Sequence, residues 1–296
     1  MIPYDKHQWT SHLFDVEGSM VREIIGRVAI CVVWSALVVL FHQAFQKLDV
    51  SPIVHTLVGA ALGLLLVFRT NASYDRYWEG RRLWGSITNG SRNLSRLSRA
   101  YLAPAAPDLA ESVLLWTSAF AYTAMNGLRN TTGLGPPGDR LPAVEVAEVL
   151  NAPHASLAVA TKMTGQLAKA RERGVLSDYL VVAFDNVVSR LMDDIGGCER
   201  IYRTPLPFVY VVHLRRALIL YCYTLPISLV QFYGWWTIVV TLMVSYTFFG
   251  IEEIGVEIEN PFGGDPNDLP LELFCETIER DTTGVVVVSK PIVTAE

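Results

Sequence analysis

Four stretches of this sequence are almost free of charge, and each approaches the length needed to cross a bilayer. They cover residues 24–45, 53–68, 217–233 and 237–251. A helix spanning hydrocarbon needs about 20 mostly apolar residues. The first block supplies them with a single arginine near its start. The second is shorter but reads on as helix into Arg69, and the fourth gains length from Trp235 and Trp236. Such blocks exclude a disordered chain, a coiled coil or a disulfide-rich miniprotein, and argue against an ordinary soluble enzyme. Composition agrees: 51% of the residues are hydrophobic and 18% are charged, where a soluble domain carries about 25%.

Orientation follows from the placement of the basic residues. Beyond the second block lie Arg69, Arg76, Arg81, Arg82, Arg92, Arg96 and Arg99, with only Asp75 and Glu79 among them. Arginines beyond a span mark the cytoplasmic side. The same segment also suits contact with anionic lipid or salt bridges between subunits, and the aromatics Tyr74, Tyr77, Trp78 and Trp84 within it suggest an interfacial or packed helix. Two spans then place the N-terminus inside as well. The N-terminal residues, with Tyr4, His7, Trp9, His12 and Phe14, are polar and aromatic and lack the pattern of a cleaved signal. Arg215 and Arg216 before the third block, the uncharged Gly234-Trp235-Trp236 turn after it, and Glu252, Glu253, Glu257 and Glu259 beyond the fourth give the same sidedness, and Pro226 predicts a kink.

The expected organisation is a cytosolic N-terminal segment (1–23), a transmembrane hairpin (24–69), a cytosolic helical domain (70–205), a second hairpin (206–252) and a cytosolic C-terminal segment (253–296). Residues 112–125 are apolar but too short to span, and are expected as a buried helix. Residues 133–138 are expected as a loop. The tail from 260 is expected to be loop-rich, ending in a run of valines.

No nucleophile elbow, zinc-protease motif, P-loop or dinucleotide fingerprint occurs. The net charge of −5 offers no basic field for nucleic acid. Cys31, Cys198, Cys222 and Cys275 lack metal-ligand spacing, and two of them read as small hydrophobes in apolar blocks. His42 and His55 lie near one membrane surface, where a meeting would suggest proton or metal chemistry. Gly59 and Gly63 have the four-residue spacing that lets helices pack closely. Ala60, Leu64 and Phe68 fall in one line at i, i+4, i+8. That line serves helix packing, or, with several subunits around an axis, stacks apolar rings that gate ions by dewetting. Asp178, Asp185, Asp193, Asp194, Glu252 and Glu253 would concentrate cations if they faced a vestibule.

The stretch Arg69-Thr-Asn-Ala-Ser-Tyr-Asp-Arg-Tyr-Trp-Glu-Gly-Arg-Arg-Leu-Trp-Gly85 resembles the signature that follows the second span of the bestrophin family, in its bacterial branch. Gly196-Gly-Cys-Glu-Arg-Ile, Thr204-Pro-Leu-Pro-Phe-Val-Tyr210 and Glu259-Asn-Pro-Phe-Gly-Gly-Asp-Pro-Asn-Asp-Leu-Pro-Leu271 match further landmarks, so the resemblance covers residues 9–280. It implies an all-α membrane protein with four transmembrane helices and a cytosolic helical domain. Its partners would be further copies of itself in a homopentameric channel, the bilayer and the permeant ions. It maps a pore neck onto Ala60, Leu64 and Phe68, and a cytosolic constriction onto Tyr179 beside Asp178. Bacterial members imply a preference for monovalent cations; animal members imply chloride conduction gated by calcium. The animal calcium clasp corresponds here to Asp265, Asn267 and Asp268. Two carboxylates are few for a calcium site, so no cofactor is expected. A transporter or membrane enzyme would show internal repeats and polar midplane residues, and none are visible. A non-conducting scaffold would differ only in its lack of flux.

Overall fold

Prolines begin many of the helices. The computed structural model describes residues 18–45 and 50–284. The expectations for Tyr4, His7, Trp9, His12 and Phe14, for residues 46–49 of the connector and for the valine run at 285–288 lie outside those residues. All regular structure among the described residues is helical: α1 (Val21–Phe45), α2 (Ile53–Leu97), α3 (Pro107–Leu128), α4 (Ala143–Leu150), α5 (Ala155–Glu172), α6 (Asp178–Arg203), α7 (Phe208–Tyr233), α8 (Trp236–Glu257) and α9 (Leu271–Thr283). A π-turn at Ser98–Leu102 ends α2, and a 3₁₀ turn at Pro136–Arg140 follows α3. Pro52, Pro142, Pro207 and Pro270 stand just before α2, α4, α7 and α9, and Pro107 opens α3. There the missing N–H is one that no helix would have used, and the fixed φ suits entry. Gly234 (φ +50°) and Gly284 (φ +69°) close α7 and α9 in the left-handed region that glycine enters without penalty.

The described residues form two compact units. The first comprises 18–45, 50–78, 204–261 and 265–268; the second comprises 79–203, 262–264 and 269–284. In the first, α1, α7, α8 and the N-terminal part of α2 pack around Ile24, Val28, Cys31, Leu62, Leu66 and Phe249, with a smaller cluster at Val38, Val39 and Val230. Small polar residues (Ser35 on α1; Thr237, Thr241 and Ser245 on α8) are buried, so the two helices approach closely, as in membrane bundles. The outward faces are apolar: Ile25, Ile30, Val33 and Leu37 on α1, Leu220 on α7 and Met243 on α8 are exposed. Four helices, with α2 extended by its π-turn, are long and apolar enough to cross a membrane. A contiguous apolar exterior of that kind marks a membrane surface. α7 runs as one helix through Pro226.

In the second unit α3 is the buried centre, packed against α5 and α9, with α6 against α5. It contains the expected non-spanning helix of residues 112–125. Gly90 and Gly197 let α2 and α6 approach: a Cβ on either would come within 2.9 Å of a leucine side chain, Leu191 or Leu83. The tail differs from expectation, because 271–283 is helix rather than loop. Leu271, Cys275, Ile278 and Thr282 recur at helical spacing on one buried face, and Phe274 stacks on Trp84 with ring centroids 6.0 Å apart.

The loop expected at 133–138 contains the most constrained glycine. Gly135 has φ +65°, and a Cβ there would run into the ring of Tyr122. The Tyr122 hydroxyl donates to Glu279 at 2.7 Å, both side chains being buried. Gly135→Ala is therefore expected to cost about 2–4 kcal/mol, from backbone strain plus a displaced buried tyrosine. Thermal melting checks this; an unchanged midpoint would mean that the loop shifts freely.

α9 is also held by Arg129, which forms an ion pair with both oxygens of Glu272 and donates to the Phe262 carbonyl. The guanidinium holds the Glu272 carboxyl below the usual carboxylate range. A depressed folded-state value means that the stabilisation is complete above the unfolded value, about 4.3, and is lost as pH falls through the folded one. Glu272→Gln should thus lower the melting midpoint at neutral pH. The difference from the parent should shrink as pH drops below about 4. A gap that persists there would rule out ionisation as its origin.

Candidate functional site

The second helix has two distinct faces. Leu62, Leu66, Arg69 and Ser73 follow one another at helical spacing and are buried. Leu57, Ala60, Leu64 and Phe68 follow on another face and are exposed, Leu64 at 55%. No charged residue occurs between 53 and 68. The expected line of Ala60, Leu64 and Phe68 is therefore not used to pack this subunit. It is an uncovered, uncharged apolar ridge on a helix whose back is fixed in the bundle. Gly59 has a packing role, since a Cβ there would come within 2.6 Å of the Tyr221 hydroxyl, while Gly63 has nothing nearby.

One residue past Phe68 the chain places its most deeply buried arginine. Arg69 is 1% exposed, and its Nη2 lies 3.4 Å from Glu259 and 3.8 Å from Glu252, which is 2% exposed. Arg215 Nε donates to Glu252 at 2.9 Å, and Arg27 Nη1 donates to Glu253 at 2.8 Å. Nε and Nη1 of Arg69 have no hydrogen-bond partner among the described residues. Arginines from α1, α2 and α7 thus meet carboxylates at the end of α8, at one level of the bundle. Glu252 and Glu253 are clamps between helices, neither lining a vestibule nor lying on a solvated helix face, the two alternatives the sequence left open. Burial of both and their pairing with arginine are the physical reason.

Three of the four motifs that carried the resemblance contribute residues to this level. Arg76 Nε donates to the Glu259 carbonyl at 3.0 Å, Arg76 Nη1 donates to the Thr204 carbonyl, and the Leu206 N–H donates to Glu259 Oε1 at 3.0 Å. A clamp of this kind fixes the axial rotation of α2, and with it the direction of the ridge. Composition alone did not show it, because each member looked like a topology charge. The recurring signal was charge at one end of each apolar block: Arg27, Arg69, the pair Arg215 and Arg216, and the pair Glu252 and Glu253.

Tyr179 is 90% exposed at the start of α6, and Asp178 beside it pairs with Arg171 at 2.6 Å. Asp185 accepts from Thr164, and burial pushes the Asp194 carboxyl above its ordinary value. Residues 70–205 as a whole carry 15 Lys and Arg against 13 Asp and Glu, so this region presents no net acidic field. Asp75 is the acid that sequence reading passed over. It is exposed, seven residues beyond Phe68, and so nearly in line with it on α2. His55 and His42 do not meet; the His55 Nε2 meets Thr224 Oγ1 at 2.8 Å, a structural role. All four cysteines are free and buried.

The loop matching the calcium clasp is used internally. Asp268 is buried and accepts the Asp265 N–H at 2.8 Å, while Asn267 Nδ2 donates to the Gly18 carbonyl and to Glu257. A calcium site needs six to eight oxygens, several of them carboxylate. Among the described residues no three His, Cys, Asp or Glu side chains come together as metal ligands. This donor set does not fit calcium.

Comparison with known proteins places the chain. A family described as Bacterial/Fungal Bestrophin protein matches residues 1–284. A voltage-dependent anion channel-forming protein of Nostoc sp. is 40% identical over 93% of this chain and 91% of its own length. The voltage-dependent anion channel-forming protein YneE of Escherichia coli is 31% identical over 95% and 92%. A solved structure of a bacterial bestrophin homologue from Klebsiella pneumoniae superimposes with a TM-score of 0.82 at 33% identity, covering 88% of this chain and 97% of that one. The names of the first two proteins carry anion conduction, the opposite sign to the cation preference expected above. With its helical membrane bundle and ion-channel relatives, this chain belongs to the bacterial and fungal bestrophin family.

Proposed function

We propose that five copies of this chain surround one axis and form a passive channel for small anions in the cell (inner) membrane, with both termini cytoplasmic. The observation that carries this reading is the ridge Ala60–Leu64–Phe68, exposed in the subunit and lacking any charge. Four short spans cannot enclose a pore alone, so a conducting path needs neighbours, and facing ridges would make a water-poor neck. Ala60 leaves the outer end of that neck wide, and Phe68 closes its inner end. Tyr179, with Asp178 beside it, would ring a second constriction in the cytosolic part. The domain organisation follows: spans at 24–69 and 206–252, cytosolic parts between and after them.

Anion conduction is favoured by the names of the relatives and by the state of the acids. Glu252, Glu253 and Asp178 are committed to arginines, so little is left to attract cations. Asp75 favours the second reading, cation conduction, because five copies just beyond Phe68 would form an acidic ring. Reversal potential in planar bilayers under a KCl gradient separates the two. Anion conduction predicts reversal displaced toward the chloride equilibrium potential. Displacement toward that of potassium would reverse the sign, and an absence of current from correctly assembled protein would leave a scaffold.

A further inference from the structure

A cavity of about 320 Å³ opens between α1, α7 and α8 within the membrane unit. Arg27, Arg215 and Glu252 line one end of it. Ile30, Leu218, Ile219 and Phe249 line the rest, each about one helical turn from the charged residue on its own helix. Since α8 runs opposite to α1 and α7, all three helices put charge at the same level and apolar wall on the same side of it. Above, the Trp34 indole donates to the Tyr223 carbonyl at 2.8 Å. Beyond that contact a second, almost wholly apolar cavity of about 380 Å³ follows the same seam to Phe41 and Ile227. From Arg27 to Phe41 the seam is about 21 Å long at 1.5 Å per residue, which exceeds the roughly 15 Å hydrocarbon depth of one leaflet.

The charged end is unfinished. Glu252 takes the Nε of Arg215, and Glu252 and Glu253 take the Nη1 of Arg27. The remaining guanidinium nitrogens have no partner among the described residues, and the two side chains are 50% and 47% exposed. Two half-open forks at the inner end of a greasy seam complement a phosphodiester carrying acyl chains. A free phosphate would satisfy the arginines but leave the apolar wall unfilled.

We propose that this seam binds an anionic phospholipid of the inner leaflet, its phosphate on Arg27 and Arg215 and one acyl chain along Ile30, Ile219 and Trp34. The site is independent of the pore reading. Its test uses the full-length assembled protein in mild detergent, with the melting midpoint followed as phosphatidylglycerol, phosphatidylcholine or sodium phosphate is added. Phosphatidylglycerol is expected to raise the midpoint by several degrees, phosphatidylcholine by less, and phosphate not at all. Arg27→Gln should abolish most of that shift. Ile219→Trp fills the wall without touching a charge and should do the same, so loss of the clamp is not the cause. A full shift with phosphate alone would overturn the lipid assignment. An equal phosphatidylglycerol shift in both variants would overturn the site. A parent protein that does not respond to lipid, with an Ile219→Trp variant that falls apart into smaller species, would show that a neighbouring copy of the chain covers the seam instead.

Discussion

Arg69→Met is expected to remove most of the folded, assembled protein. Glu252 is 2% exposed and Arg69 1%, so the methionine would leave Glu252 with partly exposed Arg215 and Arg27 and would take away the guanidinium beside Glu259. Removing one partner of a buried ion pair costs about 3–5 kcal/mol, because the remaining charge stays out of water. That is a large share of the 5–15 kcal/mol that holds an ordinary domain together. Size-exclusion yield and melting midpoint read the loss. Arg69→Lys should recover only part of it, since the shorter side chain must bring its ammonium to the place of the one nitrogen, Nη2, that lies near both carboxylates. The pair Arg69→Met with Glu252→Gln should be milder than Arg69→Met alone. If the double variant were worse, the cost would come from packing beside Gly255, where a Cβ would lie 3.2 Å from Arg69 Nε, and not from charge.

Leu64→Ala combined with Phe68→Ala is expected to raise single-channel conductance several-fold while leaving the folded protein intact. Both side chains are exposed in the subunit, so their truncation empties no intrachain core. A narrow apolar constriction holds water poorly, and widening it lowers the barrier to a hydrated ion. Leu62→Ala and Leu66→Ala on the opposite face of the helix should behave in the opposite way. Each opens a cavity in the bundle core, costing about 2–5 kcal/mol, with little effect on conductance in the protein that still folds. Planar-bilayer recordings alongside melting curves separate the two faces. Equal conductance in the parent and the Leu64/Phe68 variant would remove this ridge from the conduction path.

The four long apolar helices were legible because hydrocarbon leaves so few options: a run of that length without charge reads as helix, and its length tells whether it can cross. The same rule identified residues 112–125 as a buried helix of the second unit. The tail was misread because Pro266, Pro270 and four acids between 265 and 276 resemble loop chemistry. The apolar positions Leu271, Cys275 and Ile278 at helical spacing carried the correct signal. Ala60, Leu64 and Phe68 were placed on one line by spacing, but spacing could not say which face the bundle would bury. That depends on where α1, α7 and α8 pack, and the structure leaves Leu64 and Phe68 uncovered. The clamp was invisible for a similar reason. Arg27, Arg69, Arg215 and Glu252 are far apart in sequence and meet only because the spans run in alternating directions. Asp75 was overlooked among the arginines around it.

The most direct test of the pore face is a cysteine at position 64. The native cysteines are buried, so a Leu64→Cys thiol would be the accessible one. A charged methanethiosulfonate reagent applied to the open channel is predicted to change the current irreversibly, and a label attached at that thiol should be shielded from a lipid-soluble quencher. Unaltered current with complete labelling, together with strong quenching from the lipid phase, would mean that Leu64 faces the bilayer and that the ridge is not the neck.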